Sequence, residues 1–89
     1  MPKKKLENTA RNDAFVSDFK TRLKELRALT GISQSKLAAA VGLCNDSKIR
    51  YYESGRTINP GIDILVRFAD FFDVSVDYLI GRTDNPQRL

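Results

Sequence analysis

The sequence predicts an all-α domain of five short helices. Its apolar residues recur at three- and four-residue spacing in most segments, as they do on one face of an α-helix. No segment alternates between apolar and polar residues for long enough to indicate a strand. Glycine, serine and proline separate the periodic segments at positions typical of helix ends. The 89 residues are enough for one compact core and too few for a two-lobed enzyme.

The first predicted helix starts at Ser17 and ends at Gly31, a residue typical of helix C-termini. Residues 1–16 are polar or charged nearly throughout and are predicted to form a flexible basic arm. The helical repeat consists of Phe19, Leu23, Leu26 and Leu29.

Ser33 is a suitable N-cap for the second helix, which closes at Gly42. This helix is expected to bury Leu37, Ala38 and Val41. The third helix is predicted over Asp46–Ser54, capped by Asn45 or Asp46 and closed by Gly55.

Two more helices follow a surface loop. Asn59-Pro60 indicates a cap followed by proline at the first helical position of the fourth helix. Ser75 caps a last helix that ends at Gly81. Residues 17–82 therefore form the predicted domain, and residues 83–89 a short, frayed tail. The apolar residues of the fourth helix are Ile62, Leu65, Val66, Phe68, Ala69 and Phe72.

Composition excludes several classes of function. The net charge of +4 indicates either a nucleic-acid partner or solubility alone. Histidine is absent and Cys44 is the only cysteine, so no disulfide framework, metal site or catalytic constellation is evident. We therefore predict no enzyme activity and no cofactor. The single thiol favours a reducing, cytoplasmic location, and no apolar run approaches the roughly 18 residues of a membrane span.

The third helix has two unlike sides. On a helical wheel, Ile49 and Tyr52 fall together and must face the core. Glu53 is its only carboxylate after the first turn, whereas a solvated face more often mixes glutamate with lysine. Two interpretations remain, an idle polar face or a face built for an anionic partner. The outer side and its flanks hold Asp46, Ser47, Lys48, Arg50, Tyr51 and Ser54.

Two short helices joined by a sharp turn match the helix-turn-helix pattern, whose second helix enters the DNA major groove. The segments ISQSKLAAAVGL, KIRYYESG and NPGIDILVRFADFFDVSVDYLIG resemble the lambda repressor/Cro-like helix-turn-helix family from about Phe19 to Gly81. The signature comprises Gln34, Ala38, Gly42, Ile49 and Tyr52-Glu53-x-Gly55. The resemblance implies DNA binding through the third helix and transcriptional regulation, often by a homodimer.

The resemblance also assigns individual residues. It implies that Gln34 touches a phosphate and that an internal ion pair joins Arg27 to Glu53. Lys3, Lys4 and Lys5 either wrap around the duplex, as such an arm does in some relatives, or belong to a disordered segment. The predicted DNA-contacting set is Gln34, Asn45, Asp46, Ser47, Lys48, Arg50, Tyr51, Ser54 and Arg56.

The turn before the third helix is one residue longer than in most family members. We place the extra residue at Cys44 and keep Asn45 as the N-cap; other registers shift the base-reading residues by one. Asp46 either stabilises the helix N-terminus or accepts a hydrogen bond from a cytosine amino group. Cys44 is either a small semi-apolar filler or a thiol whose oxidation would disturb the reading helix.

Two functions therefore stay open. The first is a double-stranded-DNA-binding regulator, with repression favoured, acting as a homodimer on a near-palindromic operator. The second is an antitoxin or other protein-interaction module of the same fold. Phe71, Tyr78 and Ile80 are candidates for a dimer or partner interface, because not all of them fit inside so small a core.

Overall fold

The computed structural model describes residues 8–54 and 60–88, with only the backbone described for residues 8–14 and 16. The described residues form five helices and no strand, which confirms the predicted all-α class. Predictions for Lys3, Lys4, Lys5, Gly55, Arg56 and Asn59 lie outside the described residues. The helices are α1 (Asn8–Thr30), α2 (Gln34–Ala40), α3 (Ser47–Ser54), α4 (Ile62–Phe72) and α5 (Val76–Leu79).

The core draws side chains from every helix. α1 packs against α3 and α5, while α2 packs on α3 and α4 packs on α5. The rings of Phe19, Tyr52 and Phe68 meet at centroid distances of 5.5, 5.8 and 6.1 Å, within the range of favourable aromatic pairs. The inner side of α3 is therefore held between α1 and α2. The largest fully buried side chains are Phe19, Phe68, Leu23, Leu37, Ile49 and Leu79.

Several helix ends lie where the sequence predicts them. Ser33 Oγ accepts a hydrogen bond from the Lys36 amide at 3.1 Å, which caps α2. Ser75 Oγ accepts one from the Tyr78 amide at 3.0 Å, which caps α5. The last turn of α1 ends at Gly31, whose φ of 71° is costly for a residue with a Cβ.

The predicted start of the first helix was wrong. α1 begins at Asn8 rather than Ser17, so residues 8–16 of the predicted arm are helical. A helix already nucleated by packing can extend through a polar segment, because each added residue gains a backbone hydrogen bond. Leu29 was predicted in the apolar repeat but is 82% exposed, because the last turns of α1 turn Leu26 and Arg27 toward the domain instead. The proposed domain boundaries stay predictions.

The predicted start of the fourth helix was also wrong. The N-cap is Gly61 and the first helical residue is Ile62, so Pro60 lies before the cap. Ile62 is 81% exposed and Val66 is 43% exposed, so the apolar stripe of α4 is only partly buried. The buried residues of α4 are Phe68 and Ala69.

Residues 82–88, which follow α5, are not frayed, contrary to the prediction. The Ser75 amide donates to the Pro86 carbonyl at 3.0 Å, which fastens this segment to the start of α5. Arg88 Nη2 donates to Asp70 Oδ1 of α4 at 2.6 Å. These bonds join residues that are distant in sequence, so no local pattern indicated them. Residues 82–88 therefore fold back on the domain.

Candidate nucleic-acid interface

The turn between α2 and α3 is fixed by backbone and side-chain bonds. Gly42 has a φ of 83°, and the Leu43 amide donates to the Ala38 carbonyl at 2.8 Å, so the chain reverses sharply after α2. Arg67 of α4 donates from Nη1 to the Val41 carbonyl at 3.1 Å. The end of α2 is thus held in place by a third helix.

The N-cap position of α3 belongs to Asp46, one residue after the predicted cap Asn45, because the helix starts at Ser47. Asn45 Oδ1 accepts a hydrogen bond from the Ser47 amide at 2.9 Å, which forms a turn just before the helix. The Asp46 carbonyl accepts the first backbone bond of α3, from the Arg50 amide at 3.0 Å. The Asp46 carboxylate is occupied by Ser35 and Arg50 instead of a backbone amide.

The two sides of α3 differ in exposure as predicted. Ile49 is fully buried, and Tyr52 and Glu53 are buried beside it. Burial raises the pKa of the Tyr52 phenol, and the nearby Asp63 carboxylate raises it further. The opposite side is open to solvent and carries cations and hydroxyl groups. Lys48, Arg50, Tyr51 and Ser54 are exposed, and Ser47 is half-buried.

A cluster formed by Arg27, Gln34 and Glu53 joins α1, α2 and α3; we call it the Glu53 cluster. Arg27 Nε donates to Glu53 Oε2 at 2.6 Å and Nη2 donates to Oε1 at 3.0 Å, a bidentate pair. The hydrogen bond to Glu53 raises the pKa of the Arg27 guanidinium, against the opposing effect of burial. Arg27 Nη1 also donates to the Ile32 carbonyl at 3.2 Å, beyond the end of α1. The ion pair implied by the resemblance is therefore present.

Gln34 belongs to this cluster as well. Its Nε2 donates to Glu53 Oε1 at 3.0 Å, a contact that the sequence analysis missed because it considered only a phosphate contact. The bond ties the first residue of α2 to the buried side of α3. Gln34 is half-buried, so part of its side chain still reaches the surface. Its predicted contact with a phosphate stays a prediction.

Asp46 makes a second link between α2 and α3. Ser35 Oγ donates to Asp46 Oδ2 at 3.2 Å, and Arg50 Nη1 donates to Oδ1 at 2.6 Å. Arg50 Nη2 also lies 3.5 Å from Ser47 Oγ. Asp46 and Arg50 are four residues apart, a spacing that favours ion pairs on a helix, so this pair could have been predicted from the sequence.

Comparison with known proteins decides the family. A family model described as helix-turn-helix matches residues 23–79, which include both helices and the intervening turn. The chain belongs to this family. The resemblance to the lambda repressor/Cro-like type drawn from the sequence is confirmed.

Two relatives of this helix-turn-helix chain occur in Bacillus subtilis (strain 168). The uncharacterized HTH-type transcriptional regulator YobD is 37% identical over 65 residues, which cover 73% of this chain and 56% of the relative. The HTH-type transcriptional regulator ImmR is 32% identical over 63 residues, covering 71% of this chain and 48% of the relative. The chain thus spans about half the length of these curated relatives. No solved structure matches it significantly.

The candidate interface residues of this helix-turn-helix domain lie away from α3. Phe71 is 40% exposed and packs edge-on against Phe72, with ring centroids 5.0 Å apart. Tyr78 is half-buried, with the Arg22 guanidinium 4.0 Å from its ring centre. Ile80 is half-buried after α5. Tyr78 therefore already has contacts within the domain, and the role of all three in assembly stays a prediction.

Cys44 and the cleft beside it are another feature of the described residues. Cys44 is exposed on the turn and borders a cleft of about 310 Å³ with Ser35 and Asn45. The described residues contain no group of three or more cysteine, aspartate or glutamate side chains arranged to hold a metal ion. Within the same residues, every helix is too short or too polar to cross a membrane.

Proposed function

We propose that this chain is a sequence-specific, double-stranded-DNA-binding transcriptional regulator that inserts α3 into the major groove. One observation carries the proposal: α3 buries Ile49, Tyr52 and Glu53 and turns its cationic, hydroxyl-bearing side to solvent beside α2. An α-helix fits the major groove, where arginine and serine side chains reach base edges and phosphates. The printed names of the two relatives, both HTH-type transcriptional regulators, support the same conclusion.

The Glu53 cluster gives the proposed insertion a rigid base. α3 has only eight residues, too few to be stable as an isolated helix in water. Its inner side is fixed by Arg27 of α1 and Gln34 of α2. A reading helix held from both neighbours loses little conformational entropy on binding, which favours affinity.

The test is selection of bound duplexes from random DNA, followed by affinity measurement on the selected operator. Arg50→Ala should weaken binding by about 5- to 150-fold, the range for loss of one good base or phosphate contact. Arg82→Ala is the matched control, because its side chain is 61% exposed and paired with Asp77, against 57% for Arg50 paired with Asp46. It should leave affinity nearly unchanged. Equal affinity of the Arg50 variant and the wild-type chain would refute the assigned face.

Salt dependence tests the same interface independently. Each phosphate contact made by a cation releases bound counterions, so the logarithm of affinity should fall with the logarithm of salt at about 0.9 per contact. Arg50→Ala or Lys48→Ala should reduce this slope if that side chain contacts a phosphate. A slope near zero for the wild-type chain would contradict binding through a cationic helix.

We further propose a homodimer that represses transcription from a near-palindromic operator in the cytoplasm. Two copies of α3 about one helical turn of DNA apart would occupy adjacent major grooves and block access to a promoter. Phe71 is the exposed aromatic candidate for the contact between copies. Phe71→Asp should shift sedimentation from dimer to monomer and lower affinity for the two-half-site operator, but not for a single half-site. If the Phe71→Asp chain remains a dimer, Phe71 does not lie in the contact between copies. If the wild-type chain instead binds a different protein, the interaction-module alternative is favoured.

A further inference from the structure

The Asp46–Arg50 pair lies on the proposed reading side of α3, where a carboxylate is unexpected. DNA presents a dense line of phosphate charges, so an acidic group at the mouth of the groove opposes binding. Yet Asp46 is tied down by two hydrogen bonds, one from each helix of the motif. The Ser35 hydroxyl holds Oδ2, which leaves Oδ1 directed at the guanidinium. The carboxylate is thus positioned by α2 and in turn positions Arg50.

We propose that Asp46 and Arg50 act as one donor–acceptor unit that determines DNA sequence specificity; this rests on the proposed function above. Arg50 supplies N–H donors and Asp46 supplies carboxylate acceptors. A G·C base pair offers the complementary set in the major groove, with guanine O6 and N7 as acceptors and cytosine N4 as donor. At a G·C base pair, Arg50 and Asp46 can therefore exchange the hydrogen bond between them for hydrogen bonds to the bases.

At other sequences the same pair opposes binding. If Arg50 leaves Asp46 for a phosphate, the carboxylate stays beside a second anion, and like charges repel. If Arg50 stays with Asp46, the pair contributes no net charge to phosphate binding. Asp46 therefore lowers affinity for non-operator DNA as well as reading the operator, and specificity increases through both effects.

The experiment compares the wild-type chain with Asp46→Asn, using the selected operator duplex and a scrambled duplex of equal length. Removing the negative charge should raise affinity for the scrambled duplex about 2- to 5-fold, as expected for one exposed charge interaction. The ratio of operator to scrambled affinity should fall about 10-fold or more, because one base contact is lost as well. Asp77→Asn is the control, since Asp77 is an exposed carboxylate of α5 that is paired with Arg82. It should leave the ratio unchanged.

Selection from random DNA gives a readout that a purely structural role of Asp46 would not change. The wild-type chain should select G·C or C·G at the base pair beneath the first turn of α3. Asp46→Asn should lose that preference, or change it toward adenine, which asparagine recognises, with the other positions kept. Melting curves for each variant confirm that the binding data come from folded chains.

Ser35→Ala provides a second variant that retains both charges. It removes only the hydroxyl that holds Oδ2, so the preference at the same base pair should weaken while salt dependence stays as in the wild-type chain. A wild-type chain that selects no sequence would refute the proposed function itself. A wild-type chain that selects an operator, with Asp46→Asn and Ser35→Ala keeping its affinity ratio and base preference, would overturn this inference alone.

Discussion

The Glu53 cluster allows a sharp test of what holds α3 in place. Arg27→Met keeps an unbranched apolar stem and deletes the guanidinium, which leaves a carboxylate that is only 7% exposed without its bidentate partner. Breaking a buried ion pair on one side costs about 3–5 kcal/mol. The Arg27 side chain is 27% exposed and the Gln34 amide still donates to Glu53, so we expect the lower end, about 3 kcal/mol. For a domain of this size, that loss lowers the melting temperature by about 12–24 °C.

Chemical denaturation followed by circular dichroism measures this loss directly. Arg82→Met is the control, because its exposed pair with Asp77 should contribute less than about 1 kcal/mol. A double-mutant cycle with Glu53→Gln isolates the pair, and a coupling energy above about 1 kcal/mol is expected for groups in direct contact. The reasoning fails if Arg27→Met is within about 1 kcal/mol of the wild-type chain, or if the two substitutions are simply additive.

Three further predictions concern the rest of the domain. Gly42→Ala should destabilise it by about 1–2 kcal/mol in urea titrations, because φ is 83° there and a Cβ would also meet a neighbouring guanidinium; unchanged stability would show that the turn relaxes freely. Leu37→Ala should cost about 2–5 kcal/mol in the same assay, whereas Leu29→Ala, at an 82% exposed position, should stay within about 0.5 kcal/mol; equal losses would contradict the burial pattern. Arg88→Ala should speed hydrogen exchange at the Ser75 amide, which donates to the Pro86 carbonyl, while global stability changes by less than about 1 kcal/mol; unchanged exchange would mean that the segment stays docked without Arg88.

Local signals in the sequence predicted the helices well where one residue type settles the geometry. Ser33 and Ser75 each have a hydroxyl that can bond an amide three residues later, so their capping depends on nothing distant. Ile49 and Tyr52 share one side of a short helix, so their burial follows from its period. The helix-turn-helix arrangement could therefore be predicted from the amino-acid sequence alone.

The sequence-based predictions were wrong or incomplete where tertiary contacts, or the extension of a helix from a packed segment, determine the structure. The start of α1 at Asn8 lacks an apolar repeat, so periodicity gave no sign of it. The return of the chain after α5 depends on Arg88 reaching Asp70, eighteen residues away in sequence. Gln34 was assigned to DNA alone because its bond to Glu53 appears only once α2 and α3 are packed together. Sequence pattern located the candidate site but not the contacts that orient it.

The separation of α3 into an anchored side and an open side has an evolutionary and practical consequence. Lys48, Arg50 and Ser54 are exposed to solvent, so substitutions there should cost little folding stability and, in the proposed DNA-binding role, should change target preference. The contacts that hold α3 in the domain are made by its buried side. In the proposed DNA-binding role, this division would let the same scaffold recognise a new DNA sequence through the exchange of a few surface residues.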